Sequence, residues 1–135
     1  MRLFDILLAE DNPGDVLLVQ QALEAHDVRH SLHVVRDGEQ ALAFIAGLLS
    51  GEQVHCPDLI LLDLNLPKVD GAQVLAELRN TPECADTPVV VITSSDAPKD
   101  RDRVSALGVD HYFKKPSDFD SFLRLGAIVR DVVGI

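Results

Sequence analysis

Four short polar steps stand out in this sequence, because each follows a run of apolar residues. Glu10, Asp11 and Asn12 follow the run 5–9. Asp63 closes the run 58–63 and is followed by Leu64 and Asn65. Thr93, Ser94 and Ser95 follow 89–92, and Lys114, Lys115 and Pro116 follow 109–113. Together they offer three carboxylates, a set of hydroxyls and an ammonium. Carboxylates held close together repel, and each raises the pKa of the others. A hard divalent cation relieves that repulsion, and Mg2+ takes oxygen ligands in octahedral geometry while keeping several waters. Asp11, Asp63 and a backbone carbonyl near Asn65 are the candidate ligands, with Glu10 acting through water. An aspartate is also a nucleophile towards phosphorus and forms an acyl phosphate. Phosphoryl transfer depends on positioning and charge neutralisation more than on elaborate acid–base chemistry. Asp63, at the centre of the set, is the expected nucleophile. Mg2+ would bridge it to phosphoryl oxygens, the Lys115 ammonium would hold another oxygen, and the Thr93 hydroxyl would donate to a third.

These groups converge only if the elements that carry them run side by side. The apolar runs 5–9, 32–35, 58–63, 89–92 and 109–113 read as five strands. At 6–9, 59–62 and 89–92 the apolar residues are consecutive rather than at every second position, which indicates burial on both faces and hence parallel strands. Between them lie amphipathic segments of helical spacing. Asn12 and Pro13 cap and open the first helix, where Val16, Val19 and Leu23 recur. Ala41, Leu42, Ile45, Leu48 and Leu49 stripe the second, which should end near Gly51. The third covers 71–79, the fourth opens at Pro98 and stops at Gly108, and Ser117 is placed to cap a last helix reaching about Val133. Five alternations predict an α/β fold: a single (βα)5 doubly wound parallel sheet in the order 2-1-3-4-5. Ligands of such sheets bind beyond the carboxyl ends of the strands, where the four polar steps fall.

Composition fits one globular domain over residues 1–135, with 47% hydrophobic and 25% charged residues. The net charge of −10 repels phosphate backbones and anionic lipid, so neither nucleic acid nor membrane is an expected partner. No apolar run is long enough to cross a bilayer, and an acid at position 5 interrupts any leader, so the expected compartment is the cytoplasm. Cys56 and Cys84 stand 28 apart, fit no Cys-x-x-Cys pattern, and are expected as free thiols.

With these motifs in place, the chain resembles the receiver domains of two-component response regulators over essentially its whole length. Residues 8–12 resemble the acidic pair after the first strand, 63–71 the phosphoacceptor loop, 92–94 the hydroxyl turn, and Lys115-Pro116 the lysine–proline step, which is usually cis in that family. The flavodoxin-like receiver fold follows as an expectation. The resemblance implies that Asp63 accepts phosphoryl from a sensor histidine kinase, with Thr93 and Lys115 on the phosphoryl group. Glu10, Asp11, Asp63 and the Asn65 carbonyl would handle Mg2+. It makes Tyr112 the aromatic switch that acts with Thr93 and repacks the face of strand 4, helix 4 and strand 5. Asn65 and Ser95 take the positions that tune dephosphorylation. The 10–15 step, residues 35–39 and the long 47–57 segment resemble the small stand-alone regulators, many of which pair with bacterial phytochrome kinases. No output domain is expected.

Helix 4 is polar from Asp96 to Arg103, with Val104 and Leu107 as its anchors, and so reads as a candidate moving part. The last helix is apolar beyond the needs of one docking face, so Phe119, Phe122, Leu125 and Val129 are the expected contacts of a homodimer. Rival readings use the same residues. A flavodoxin-like cofactor binder would need a phosphate-cradling loop where Glu10 and Asp11 stand. A Mg2+-dependent aspartyl-phosphate phosphatase would want an acid where Asn65 stands. A docking module that works without phosphorylation has no use for the complete set of Glu10, Asp11, Asp63, Thr93 and Lys115.

Overall fold

The chain is described by a computed structural model over residues 3–50 and 55–135, the side chains of 48–50 excepted. Strands β1 (Phe4–Ala9), β2 (His30–Val35), β3 (Leu59–Leu62), β4 (Val89–Thr93) and β5 (His111–Lys114) form one sheet. Helices α1 (Pro13–Ala25), α2 (Gly38–Ser50), α3 (Gly71–Arg79), α4 (Pro98–Ser105), α5 (Phe119–Phe122) and α6 (Arg124–Val133) lie between and after them. The strands are all parallel and run in the order β2-β1-β3-β4-β5, as the sequence predicts.

Strand periodicity divides the core in two. Alternate residues of a strand point to opposite faces. Leu7, Ala9, Ile60, Leu62, Val89 and Val91 therefore pack with Ala41 and Ile45 of α2, Val74, Leu75 and Leu78 of α3, and Val104 of α4. Ile6, Leu8, Leu59, Leu61, Val90 and Ile92 face the other way, against Val19 and Leu23 of α1 and Phe122, Leu125 and Val129 of α5 and α6. Both faces are thus covered, and every residue of β3 and β4 is buried.

The remaining departures lie at edges and ends. β2 starts two residues earlier than expected, at His30, and alternates in exposure, because it is an edge strand with one neighbour. β5, the other edge, buries only Phe113 fully. The last helix is capped by Asp118, not Ser117: the Asp118 carboxylate accepts from Ser121 N at 2.9 Å, and the Ser121 hydroxyl, with that N–H, holds its pKa below the usual carboxylate value. It is also divided at Leu123, where Gly126 N reaches back three residues to Leu123 O. Gly126 sits where a Cβ would lie 2.2 Å from Ala22 O, so α6 lies directly on α1. Asn12 caps α1 as expected, accepting from Gly14 N and Asp15 N, and Gly108 takes φ +75° after α4. The expected stop at Gly51 lies outside the described residues.

The expectation of free thiols is overturned: Cys56 and Cys84 form a disulfide, with Cα atoms 5.8 Å apart. Their separation of 28 residues hid this. Each cysteine shortly precedes one of two adjacent parallel strands, β3 and β4, so the sheet brings them together.

Arg79 ties the same region. Its guanidinium donates to the carbonyls of Leu107, Ala85, Thr87 and Gly108 at 2.6–3.1 Å and to Cys84 O at 3.5 Å. It thereby joins α3, the turn before β4 and the turn before β5. Arg79→Ala is expected to lower the unfolding free energy by about 2–3 kcal/mol, because it strands several carbonyls at once. Arg79→Lys should recover only part of this, since an ammonium lacks the planar fork. Urea denaturation of the two variants beside the native chain measures both effects.

Candidate functional site

The backbone places the site residues with the same ladders that build the sheet. Glu10 N donates to Val35 O at 3.0 Å, Asp63 N to Ala9 O at 3.0 Å, and Lys115 N to Thr93 O at 2.7 Å. Each functional residue therefore extends a strand by one step and is pinned by the neighbouring strand. The carboxyl ends of β1, β3, β4 and β5 form one rim, where the sequence places them. Glu10, Asp11 and Asp63 each bring a carboxylate oxygen to it, and those atoms lie within 4.8 Å of one another. Glu10 and Asp63 are buried, and Asp11 is exposed.

One ammonium holds this acidic group together. Lys115 Nζ lies 2.6 Å from Glu10 Oε1, 2.8 Å from Asp15 Oδ2 and 3.2 Å from Asp63 Oδ2. Burial and the nearby Asp63 carboxylate push the Glu10 carboxyl up to about 7, against the pull of Lys115 and of the Asn12 N–H on Oε2. The carboxylates around Lys115 raise its pKa in spite of burial. The 2.6 Å approach to Glu10 Oε1 is an ion pair without the alignment of a hydrogen bond, so that fully buried oxygen has no donor directed at it. A buried oxygen without a directed donor, beside two further carboxylates, is the donor chemistry that a hard cation satisfies.

Thr93 is fully buried, and its Oγ1 accepts from Ser95 N at 3.1 Å and Asn65 Nδ2 at 3.2 Å. Asn65 N in turn donates to Asp63 Oδ1 at 3.0 Å, so the hydroxyl turn and the Asp63 loop are already connected. Tyr112 is half-buried on β5 and donates to Ser95 O at 2.8 Å; burial pushes its hydroxyl pKa up. The Arg101 guanidinium lies 4.2 Å from the Tyr112 ring centroid, in reach of a cation–π contact, and pairs with Asp96 at 2.9 Å. Ser95 Oγ also donates to Asp100. Helix α4 is anchored by buried Val104 and partly buried Leu107, as its sequence predicts. The Lys115–Pro116 peptide is trans, the form that X–Pro bonds favour, so the cis expectation does not hold.

The loop from Asp63 into α3 is shaped by close backbone approaches. A Cβ on Gly71 would lie 2.3 Å from Asp63 O and 2.7 Å from Leu64 Cα. Gly71→Ala must push Asp63 out of register with the rim. It is expected to lower the rate of chemistry at Asp63 at least tenfold, because a displacement of about 1 Å at a reacting group costs on the order of a hundredfold. Comparing rates on the folded variant, checked by circular dichroism, measures this.

Among the residues expected at a dimer contact, only Phe119 is exposed, at 50%. Phe122, Leu125 and Val129 are core: their stripe seals the sheet beneath α1, and the wide apolar coverage of the last helix serves burial. Sequence reading also passed over Asp15. It looked like an ordinary acid in the first turn of a helix, but its position three residues after the Asn12 cap puts it on the same rim.

A doubly wound parallel sheet with buried acids, a hydroxyl and a paired ammonium at its carboxyl edge defines a phosphoacceptor class of domain. Residues 6–125 match the response regulator receiver domain, and the chain belongs to that family. Response regulator Rcp1 from Synechocystis is 40% identical over 120 residues, 89% of this chain and 82% of that protein. The phosphorylated cyanobacterial phytochrome response regulator RcpA superposes with a TM-score of 0.88 at 36% identity, over 98% of this chain and 96% of that one. The Mn2+-bound form of Rcp1 gives 0.85 at 36% identity, with the same coverage.

Proposed function

We propose that this receiver domain takes a phosphoryl group on Asp63 from a sensor histidine kinase that is itself a bacterial phytochrome. The observation that carries the reading is the Glu10, Asp11 and Asp63 group, two of whose members pair with Lys115. Similarity to phytochrome response regulators supports the choice of kinase. In the step, an Asp63 carboxylate oxygen bonds to phosphorus as the bond from phosphorus to the kinase histidine breaks, and the histidine leaves with the electron pair. The loop that holds Asp63 fixes its line of approach. Lys115 stands ready to exchange its Asp63 contact for a phosphoryl oxygen. Thr93 rotates its hydroxyl towards another, giving up its bonds with Asn65 and Ser95, and Tyr112 follows into the space behind it. Glu10, Asp11, Asp63 and the Asn65 carbonyl would hold Mg2+, which when bound neutralises the charge of the incoming phosphoryl. Asn65 and Ser95 set access to the acyl phosphate and with it the dephosphorylation rate.

Incubation with acetyl phosphate, with Mg2+ or with chelator, followed by intact-mass analysis, tests the chemistry. One phosphoryl adduct is expected, dependent on Mg2+ and mapped to Asp63 by borohydride reduction to homoserine. No adduct under conditions that label a control receiver removes the reading. A homodimer remains part of the proposal, with Phe119 the expected contact residue that stays on the surface. Light scattering checks it: a mass of one chain across the concentration range, with and without phosphoryl, removes the dimer.

A further inference from the structure

Lys115 Nζ has three protons to donate and three carboxylates around it, but the three carboxylates are not equivalent. Glu10 and Asp63 belong to the acidic group that would hold a cation, whereas Asp15 stands outside it. Asp15 reaches Lys115 from the first turn of α1, across 100 residues of sequence. Its backbone is fixed there, because Asp15 N donates to the Asn12 side chain at 3.2 Å. Its side chain is 22% exposed and that of Lys115 is 11% exposed, so the pair is largely shielded from water.

This inference rests on the site assignment proposed above. A cation at Glu10, Asp11 and Asp63 occupies two of the three partners of Lys115 and adds a like charge beside the ammonium. An ammonium that is nearly buried and stripped of counter-charges is costly. We propose that Asp15 is a positioning residue that retains Lys115 at the rim when Glu10 and Asp63 turn to the cation. It thereby lets Mg2+ enter without expelling the ammonium that must next meet the phosphoryl group. Asp15 works through Lys115 and touches neither reactant. The plain alternative is an acid that favours the helix N-terminus. That role contributes to stability and leaves cation binding and phosphoryl uptake alone.

A double-mutant cycle separates the two. Mg2+ affinity is measured by calorimetry, and uptake from acetyl phosphate by intact mass, for the native chain, Asp15→Asn, Lys115→Gln and the double variant. Lys115→Met serves as a second background if Lys115→Gln does not fold. Asp15→Asn is expected to weaken Mg2+ binding about fivefold in the presence of Lys115 and to have little effect without it, since coupling between contacting residues commonly exceeds about threefold. Uptake at sub-saturating Mg2+ should fall in parallel. An equal change in both backgrounds would mean a general field effect, and no change in either would mean a helix-end acid; both overturn the inference. If the native chain takes no phosphoryl at Asp63, the site assignment fails, and the Mg2+ cycle still decides whether Asp15 and Lys115 are coupled.

Discussion

Without divalent cations, the stability of the domain is expected to fall as pH rises from about 4.5 to about 7, and Glu10→Gln should remove most of that fall. The Glu10 carboxyl titrates at 4.5 in the unfolded chain and at about 7 in the fold. Across that window the folded state binds more protons than the unfolded one, so stability decreases with pH. Below the window both states are protonated, and above it both are ionised, so the slope vanishes on either side. Each pH unit between the two titrations is worth about 1.4 kcal/mol, so the fall is on the order of 3 kcal/mol. Lys115 adds no slope here: its pKa is raised above an already high value, so its contribution is constant until strongly alkaline pH. Mg2+ should offset most of that fall. It competes with the proton on Glu10, so it should stabilise more at pH ~8 than at pH ~5, its whole contribution being about 2.7 kcal/mol where it is at a hundredfold excess over its Kd. Urea denaturation at several pH values, with Mg2+ or chelator, reads all of this. A native profile that is flat in chelator, or a Glu10→Gln profile with the same slope, sinks the assignment of the buried proton to Glu10.

Asp63→Asn is expected to take up no detectable phosphoryl and yet to be the more stable protein in the absence of metal. The carboxamide is neutral and a poor nucleophile, and no other carboxylate at the rim shares its place at the end of β3. Glu10 is buried and paired with Lys115, whereas Asp11 is exposed and one step beyond Glu10. The same substitution removes one acid from a crowded group and leaves Lys115 with Glu10 and Asp15. Relief of the Asp63 repulsion should lower the Glu10 pKa, since that carboxylate is one of the causes of its rise. Intact mass and urea denaturation of one preparation give both readouts. An adduct that persists on Asp63→Asn would move the nucleophile elsewhere, and a loss of uptake with loss of stability would reduce the result to misfolding.

The fold was legible because the short runs 59–62 and 89–92 are apolar without alternation, the pattern of a strand covered on both faces. Glu10, Asp63, Thr93 and Lys115 could be located for the same reason: strand order and the direction of parallel strands bring their ends together. Partner choice was less legible. Nothing in the spacing of Asp15 tells that its carboxylate turns to Lys115 rather than to solvent, because that depends on the exit angle of α1. The disulfide depended likewise on the approach of two loops that flank different helices. The last helix misled for a different reason. Apolar excess at Phe122, Leu125 and Val129 has the same signature whether it meets a second chain or the sheet beneath, and only burial tells them apart.

The guanidinium of Arg79 acts at the opposite end of the sheet from Asp63, on turns that lead into β4 and β5. With the Cys56–Cys84 bond beside it, this end of the domain is built as a fixed mount. The strands project from it like a beam held at one end, with Thr93 and Lys115 at their free tips and the Tyr112 hydroxyl reaching towards them through Ser95 O. A small displacement at those tips is expected to reach α4 through Ser95, which donates to Asp100, and Tyr112, which lies under Arg101.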